Sequence, residues 1–137
     1  MNEVMNAATP EVRSRLNELD AAIKDLPQVD IHTEHLFHAG MYIRTIKVPA
    51  GTLLTNVHII IPTTLFISGH CLIYDDEEWT EYKGYSIVMG RPGRQNAFYT
   101  IEDTYLTMTF ASDARSVKEA EEEFTDEPWR LGSRKEG

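Results

Sequence analysis

The chain has one cysteine, Cys71, among its 137 residues. A single cysteine excludes an internal disulfide and a cysteine-based zinc cluster, and it makes a reducing, cytosolic compartment the default expectation. Cys71 lies in the apolar run HCLIY, which favours a buried thiol with a packing role over a reactive one. The chain must therefore fold on its hydrophobic core, and at this length it can bury roughly two-thirds of its unfolded surface.

Long apolar runs and excess positive charge are also missing. No apolar run approaches the ~20 residues needed to span a bilayer, and the first residues, MNEVMNAATPEV, lack the basic and apolar regions of a signal peptide. Thirteen basic residues face 22 acidic ones, for a net charge of −9. Because an acidic surface repels phosphate backbones, we expect neither a nucleic acid nor a membrane as a partner.

Complete catalytic signatures are absent. There is no Gly-x-Ser-x-Gly elbow for a serine nucleophile, and the glycine-rich stretch 90–94, GRPGR, lacks the Lys–Ser/Thr pair of a phosphate loop and indicates a turn. The neighbouring carboxylates Glu102 and Asp103 would face opposite ways on a strand, so a capping or turn role is favoured. These absences predict a protein without a catalytic site.

The N-terminal region predicts an amphipathic helix over residues 9–26, after a disordered segment 1–8. Thr9 is suited to the N-cap and Pro10 to the first helical position, and Pro27 ends the pattern. The apolar stripe must pack on the chain's own sheet or on a neighbouring subunit; its members are Val12, Leu16, Leu19 and Ile23.

A second helix is predicted at 113–125, where Ser116 and Glu119 fit a capping box and Phe124 belongs to a narrow apolar stripe. The tail 126–137 has no periodicity. It nevertheless carries Trp129 and Leu131, large apolar groups that gain nothing from exposure, so we expect it to dock on the barrel or on a second chain.

Between the helices, residues 27–112 contain about seven short runs rich in β-branched and aromatic residues: GMYIRTIKV, TNVHIII, TTLFIS, HCLIY, EWTEY, YSIVM and TYLTMTF. Turn signals separate them, among them Ser68–Gly69 and Lys83–Gly84. TYLTMTF alternates strictly, which puts Tyr105 on the opposite face from its neighbour Leu106. Strands at this spacing without intervening helices predict a mainly β sandwich or barrel.

Histidine and carboxylate side chains cluster in the segment DIHTEHLFH, which contains Asp30, His32, Glu34, His35 and His38. These are ligand types for zinc, iron or manganese. A strand would separate His35 from the others, a helix would pair it with His38, and a polar loop leading into the first strand is favoured over both. His58 and His70 are favoured as single core or rim histidines, although His58 could point into a barrel mouth.

The order of glycines, prolines and histidines resembles the two short motifs of cupins. Gly51, His58 and Gly69 resemble the first motif, whereas Gly84 and the Pro92–Gly93 pair resemble the second. The ligand positions depart from the pattern: Ile60 replaces the second histidine, 62–64 (Pro-Thr-Thr) fill the glutamate region, and Gln95 and Asn96 stand where the last histidine would follow. The resemblance implies a single cupin-type jelly-roll barrel that has lost most metal ligands, and no metal is expected.

A longer stretch, from residue 35 to about residue 124, is similar to small cupin-like proteins of tailed bacteriophages. The matching parts are GMYIRTIKVPAGTLLT, SIVMGRPGRQNAFYTIEDT and SVKEAEEEFT, and the combination of EDT with the helix that follows it is the more specific part. This resemblance implies a virion-associated or virion-assembly protein. The protein would then be found in the host cytoplasm during infection, or in the virion itself.

Two functional hypotheses follow, with a third left open. The first is a non-catalytic homo-oligomer that assembles with other virion proteins, using as anchors Val12, Leu16, Leu19, Ile23, Phe124, Trp129 and Leu131. The second is a metal-dependent isomerase or dioxygenase with a divalent transition metal held by some of His58, His35, His38 and His70. The third is a metal-free barrel that binds a small ligand at a mouth lined by Tyr42, His58 and Tyr105.

Overall fold

The computed structural model describes residues 3–131. In chain order they form β1 (Glu3–Met5), α1 (Pro10–Lys24), β2 (Thr33–His38), β3 (Met41–Val48), β4 (Leu53–Thr55), β5 (Thr63–Asp75), β6 (Glu78–Gly90), β7 (Ala97–Thr100), β8 (Thr104–Ala111), α2 (Val117–Phe124) and a 3-10 turn at Pro128–Arg130. The prediction of a mainly β barrel with an N-terminal and a C-terminal helix is confirmed.

Two long antiparallel strands, β5 and β6, run through both faces of the barrel. The larger face has the strand order β1-β6-β5-β8-β3-β2, in which residues 64–68 of β5 pair with β8. Beyond them, residues 71–74 of β5 pair instead with β7, and β7 pairs with β4 to complete the smaller face. One hairpin thus supplies strands to both faces and connects them.

The hairpin changes faces at Gly69 and Gly84, which lie opposite each other in the register. Both have positive φ, 146° and 88°, a backbone conformation that glycine adopts without strain. The prediction that Ser68–Gly69 and Lys83–Gly84 are turns between separate strands is therefore wrong. Each pair of predicted strands is one strand of 13 residues, bent where glycine permits it.

Three further predictions are wrong in their secondary structure. The segment 3–8, expected to be disordered, contains β1, which pairs in parallel with β6. The segment DIHTEHLFH is not a loop but contains β2, paired with β3 along its whole length. The run TNVHIII forms no strand beyond Thr55; only Ile59 bridges to Arg94 and Thr125.

The helices begin where their caps predict. The Thr9 hydroxyl accepts a hydrogen bond from the Val12 amide at 3.2 Å, and the Ser116 hydroxyl accepts one from the Glu119 amide at 3.2 Å. Such caps are local interactions between a side chain and its own helix, so they can be recognised in the sequence. Within residues 3–131, neither helix is long and apolar enough to cross a membrane.

The core lies between the two faces and continues under α2. Alternate residues of β8 point inward, so that Leu106, Met108 and Phe110 are buried while Tyr105 is exposed. Phe124 of α2 packs into this core, as does Leu131 beyond the 3-10 turn. The N-terminal helix covers the smaller face, to which it adds a second apolar cluster around Ala97.

Candidate functional site

An open cavity of about 590 Å³ extends into the barrel from its surface. The inward faces of the strands supply apolar walls, including Ile46, Leu54, Leu65, Phe98, Leu106 and Met108. The end of α1 and the segment 26–31 that follows it also line the cavity. Leu26 and Val29 in this segment are 58% and 48% exposed, so apolar side chains stand at the rim as well as inside.

Three arginines line the cavity, and two of them are neutralised by carboxylates. The Arg44 guanidinium lies 3.2 Å from a carboxylate oxygen of Glu121, which is itself buried. Arg130 lies 3.0 Å from both Asp20 and Glu127. Because Arg44 and Arg130 are already paired with carboxylates of the chain, these two guanidinium groups join parts of the fold and do not offer a free charge to an anionic ligand.

The third arginine, Arg94, is 2% exposed and forms no ion pair with any carboxylate among residues 3–131. Burial lowers the pKa of Arg94 to about 10, partly offset by the charge of Asp75. The connection to Asp75 runs through Asn96, whose carbonyl accepts from Arg94 at 3.1 Å and whose amide donates to Asp75 at 3.3 Å. Burial raises the pKa of Asp75. Arg94 therefore carries its charge in a site from which water is largely excluded.

At the side of the core where α2 packs, His35, Tyr42, Arg44 and Glu121 form a connected polar group. His35 Nδ1 lies 2.6 Å from the Tyr42 hydroxyl, to which Arg44 also donates at 3.2 Å. Burial lowers the pKa of His35, and the nearby Arg44 charge lowers it further. Burial raises the pKa of Tyr42. These shifts favour a neutral imidazole and a neutral phenol, so this group is a structural network around one ion pair.

The four histidines considered as metal ligands do not converge. His35 contacts Tyr42, His58 lies 3.3 Å from Asp126 and His70 lies 2.7 Å from Glu81, while His38 is exposed at the end of β2. In the part of the chain that the structure describes, no group of three or more His, Cys, Asp or Glu side chains could hold a metal ion.

The three residues predicted to line the barrel mouth lie in three different places. Tyr42 is completely buried between aromatic rings, including Phe110 at a centroid distance of 5.4 Å. Tyr105 faces outward on β8, with the Lys47 ammonium 5.7 Å from its ring centre. His58 lies outside the barrel wall, beside α1 and Gly93. The prediction of a common site is corrected by the strand register, which sends Tyr42 inward and Tyr105 outward.

The predicted partner anchors are mostly used within the chain. The side chains of Val12, Leu16, Phe124 and Leu131 are each at most 8% exposed, so they hold the helices and the tail against the barrel and are not available to a partner. Leu19 and Ile23 are partly buried. Trp129 is 67% exposed and stays a candidate contact, while residues 132–137 of the predicted tail lie outside the described residues.

Cys71 is buried in β5, and burial raises the pKa of its thiol to about 11. The thiolate form is the nucleophile, so at neutral pH this residue remains a protonated packing side chain, as the apolar run around it predicts.

Comparisons with solved structures identify the fold. A cupin superfamily protein from Desulfitobacterium hafniense is 12% identical, with a TM-score of 0.52 over 68% of this chain and 87% of that one. KdgF from Halomonas sp. is 12% identical, with a TM-score of 0.52 over 65% and 86% of the chains. A predicted oxalate decarboxylase from Thermotoga maritima is 13% identical, with a TM-score of 0.51 over 61% and 83%. The sequence matches no protein-family model and no curated protein. The chain therefore has the cupin fold, and similarity at this level of identity concerns the fold alone.

The residues present do not fit the metal that cupin motifs hold. Asn96 and Thr63, which stand in the regions of two motif ligands, both accept hydrogen bonds from Arg94, at 3.1 and 3.4 Å. A guanidinium cation thus lies against these positions, and it would repel a second cation. Sequence reasoning missed Arg94 because a polar run after Pro92–Gly93 is typical of an exposed loop. The sequence of that run does not show which of its residues are buried, and it is the burial of Arg94 in the folded chain that makes it part of the cavity wall.

Proposed function

We propose that the protein is a non-catalytic, metal-independent binding barrel that holds a small amphipathic molecule in its interior. The observation that carries this proposal is the cavity of about 590 Å³, which falls within the roughly 300–1,000 Å³ range of ligand sites. Its walls are mostly apolar, and its polar groups include three arginines, the carboxylates Asp20 and Asp30 and several amides and hydroxyls, a composition suited to an apolar body with a polar end.

The absence of catalysis is part of the proposal, and the side chains at the cavity support it. Acid–base or nucleophilic chemistry needs a titratable or nucleophilic group aimed at the bound molecule. Cys71 has a raised pKa, and the three histidines with assigned contacts lie against tyrosine or carboxylate groups elsewhere. The cavity's arginines suit anion binding rather than proton exchange. Of its two carboxylates, Asp20 is paired with Lys24 and Arg130, and Asp30 is exposed.

The experiment that tests binding compares two tryptophan substitutions on one strand. Ile46→Trp places a larger side chain inside the cavity, because Ile46 lines it. Ile43→Trp makes the same change on the outer face of β3, where Ile43 pairs with Leu36. A neutral solvatochromic dye such as Nile red should bind the wild type and the Ile43 variant with similar affinity and bind the Ile46 variant more weakly. If the wild type gives no saturable dye binding, the proposal is wrong.

A second candidate function, assembly, is favoured by the outer surface of the larger face. Exposed apolar side chains from several strands of this face form one outer patch: Leu36, Tyr85, Ile87, Met89 and Tyr105. In the three rows of paired residues that cross it, the charged side chains are Glu34 and Lys47, although the chain as a whole has a net charge of −9. A weakly charged face of this kind suits a self-complementary contact with a second copy.

A homo-oligomer formed through the outer patch is compatible with a role in a virion or in its assembly, which the resemblance to phage proteins implies. Sedimentation velocity tests the first step. Replacing Ile87 and Tyr105 by lysine should lower the mass in solution, whereas Trp79→Lys should not, since Trp79 is similarly exposed but lies in the other half of β6. A wild-type monomer at high concentration would eliminate this candidate.

A further inference from the structure

Of the three arginines at the cavity, Arg94 is the one that forms no direct ion pair within residues 3–131, and several of the acceptors around it are weak. Arg94 donates to Asn96 at 3.1 Å and to Thr63 from two nitrogens at 3.4 Å each. Its remaining contacts are the thioether sulfurs of Met108 and Met5, at 3.7 and 4.0 Å. A guanidinium has five N–H donors, and thioether sulfur is a weak acceptor. The group is thus held in place without a strong partner for its charge.

The fold makes room for this side chain at Gly90. A Cβ atom there would lie 2.6 Å from Arg94 Nε and 2.6 Å from the Thr63 hydroxyl, distances that real Cβ atoms do not tolerate. Gly90 is not among the positive-φ glycines, so its backbone does not require glycine. Because residue 90 has no side chain, the Arg94 guanidinium can lie against its backbone, and this holds Arg94 in the cavity wall.

A buried cation without a counterion is costly, whereas pairing it with an anion recovers much of that cost. Arg44 and Arg130 line the same cavity, and each is neutralised by a carboxylate that it contacts. Arg94 alone of the three lacks one among the described residues. Arg94 therefore has one positive charge that is unmatched by a direct ion pair, because Asp75 is reached only through Asn96, and this suits one negative charge on a ligand.

We infer that Arg94 binds the carboxylate of a monoanionic amphipathic ligand whose apolar part lies in the barrel cavity. A planar carboxylate can accept two parallel hydrogen bonds from a guanidinium, and one such group matches one unmatched charge. The apolar walls beyond Arg94, including Leu65, Leu106 and Phe98, suit a hydrocarbon or aromatic body. This inference rests on the proposed binding function and specifies the class of ligand.

The test uses decanoate and decanol, which share an alkyl chain and differ in charge, and measures displacement of Nile red from the full chain. Decanoate should displace the dye from the wild type at a concentration roughly 30-fold or more below that needed for decanol, the effect of an unpaired buried charge. The Arg94→Met variant should lose this preference. Arg15→Met is the matched control, because it also removes one positive charge but lies at an exposed site paired with Glu77.

Gly90→Ala provides a second variant, since it displaces the guanidinium without removing its charge, and it too should weaken decanoate binding more than decanol binding. Each variant's circular dichroism spectrum and unfolding midpoint confirm that it is folded. If decanoate and decanol displace the dye equally from the wild type, or if Arg94→Met keeps the preference for decanoate, the inference is wrong while the binding function stands. If the wild type binds neither the dye nor either compound, the proposed function itself has failed.

Discussion

The bend that carries the β5–β6 hairpin from one face to the other should depend on Gly69. A Cβ atom at this position would lie 2.6 Å from the Asp103 carbonyl oxygen, 2.6 Å from the Thr104 hydroxyl and 2.7 Å from the Thr104 Cα. The corner after β7 is fixed there by backbone bonds, because the Ile101 and Glu102 amides donate to the His70 carbonyl at 2.9 and 3.1 Å. The substitution Gly69→Ala must therefore push two hydrogen-bonded backbone segments apart.

The size of the effect follows from two costs and one offset. Moving the Thr104 Cα from 2.7 Å to the 3.4 Å of an ordinary contact is a change comparable to overpacking a core, which costs about 1–3 kcal/mol. The φ of 146° adds about 1–2 kcal/mol of strain for alanine. Reduced freedom of the unfolded chain offsets about 0.4–1 kcal/mol. Together these ranges give an expected net loss of about 1–5 kcal/mol in the free energy of unfolding, with a middle value of about 3 kcal/mol.

Gly84→Ala is the matched control. Gly84 lies directly opposite Gly69 and has a positive φ, but no atom lies within 4 Å of its added Cβ, so only the strain remains, about 1 kcal/mol after the same offset. Urea denaturation followed by tryptophan fluorescence measures both variants. If the two alanine variants differ by less than about 0.5 kcal/mol, the close approach at Gly69 does not determine stability, and the explanation of the bend is refuted.

Three further predictions concern charged groups. Arg94→Met should raise the free energy of unfolding by about 1–2 kcal/mol. A pKa lowered to about 10 corresponds to a burial cost on the order of 3 kcal/mol, and the hydrogen bonds that the substitution removes offset part of this gain. A loss of stability in urea denaturation would contradict this prediction. Burial lowers the pKa of His35, so the folded state resists protonation, and stability should fall as the pH drops below about 6.5. His35→Gln should flatten that fall in unfolding curves measured at a series of pH values. Arg130→Ala should lower stability in thermal melts by about 1–2 kcal/mol, since it removes a partly buried partner of Asp20 at 3.0 Å. Lys24→Ala removes a more exposed partner of the same carboxylate and should cost under about 0.5 kcal/mol in the same measurement.

The features predicted correctly are those whose cause lies within a few residues. Thr9 and Ser116 cap their helices because each hydroxyl reaches an amide three residues ahead. The alternation of β8 follows from the geometry of a strand, and the burial of Cys71 follows from its apolar neighbours. Each of these features can be predicted without knowing which segment of the fold it packs against.

The errors occurred where a distant segment decides. Ser68–Gly69 carries the same local signal whether it ends a strand or bends one, and the choice depends on Thr104, which approaches it from β8. The segment containing His35 became a strand because β3 offers it a complete edge to pair with. These partners are far apart along the chain, so no local pattern reveals them.

The sequence by itself determined the class of fold and the two capped helices, because composition, capping residues and strand alternation act locally. Only the tertiary structure decided which side of each strand faces the interior, and with it the candidate site. Alternation puts Tyr105 and Leu106 on opposite faces, but the pairing of β8 with β3 and β5 makes the leucine face the inner one. The same closure of the barrel buries Arg94 without a direct ion pair to any described carboxylate, because burial depends on segments that meet only when the chain is folded.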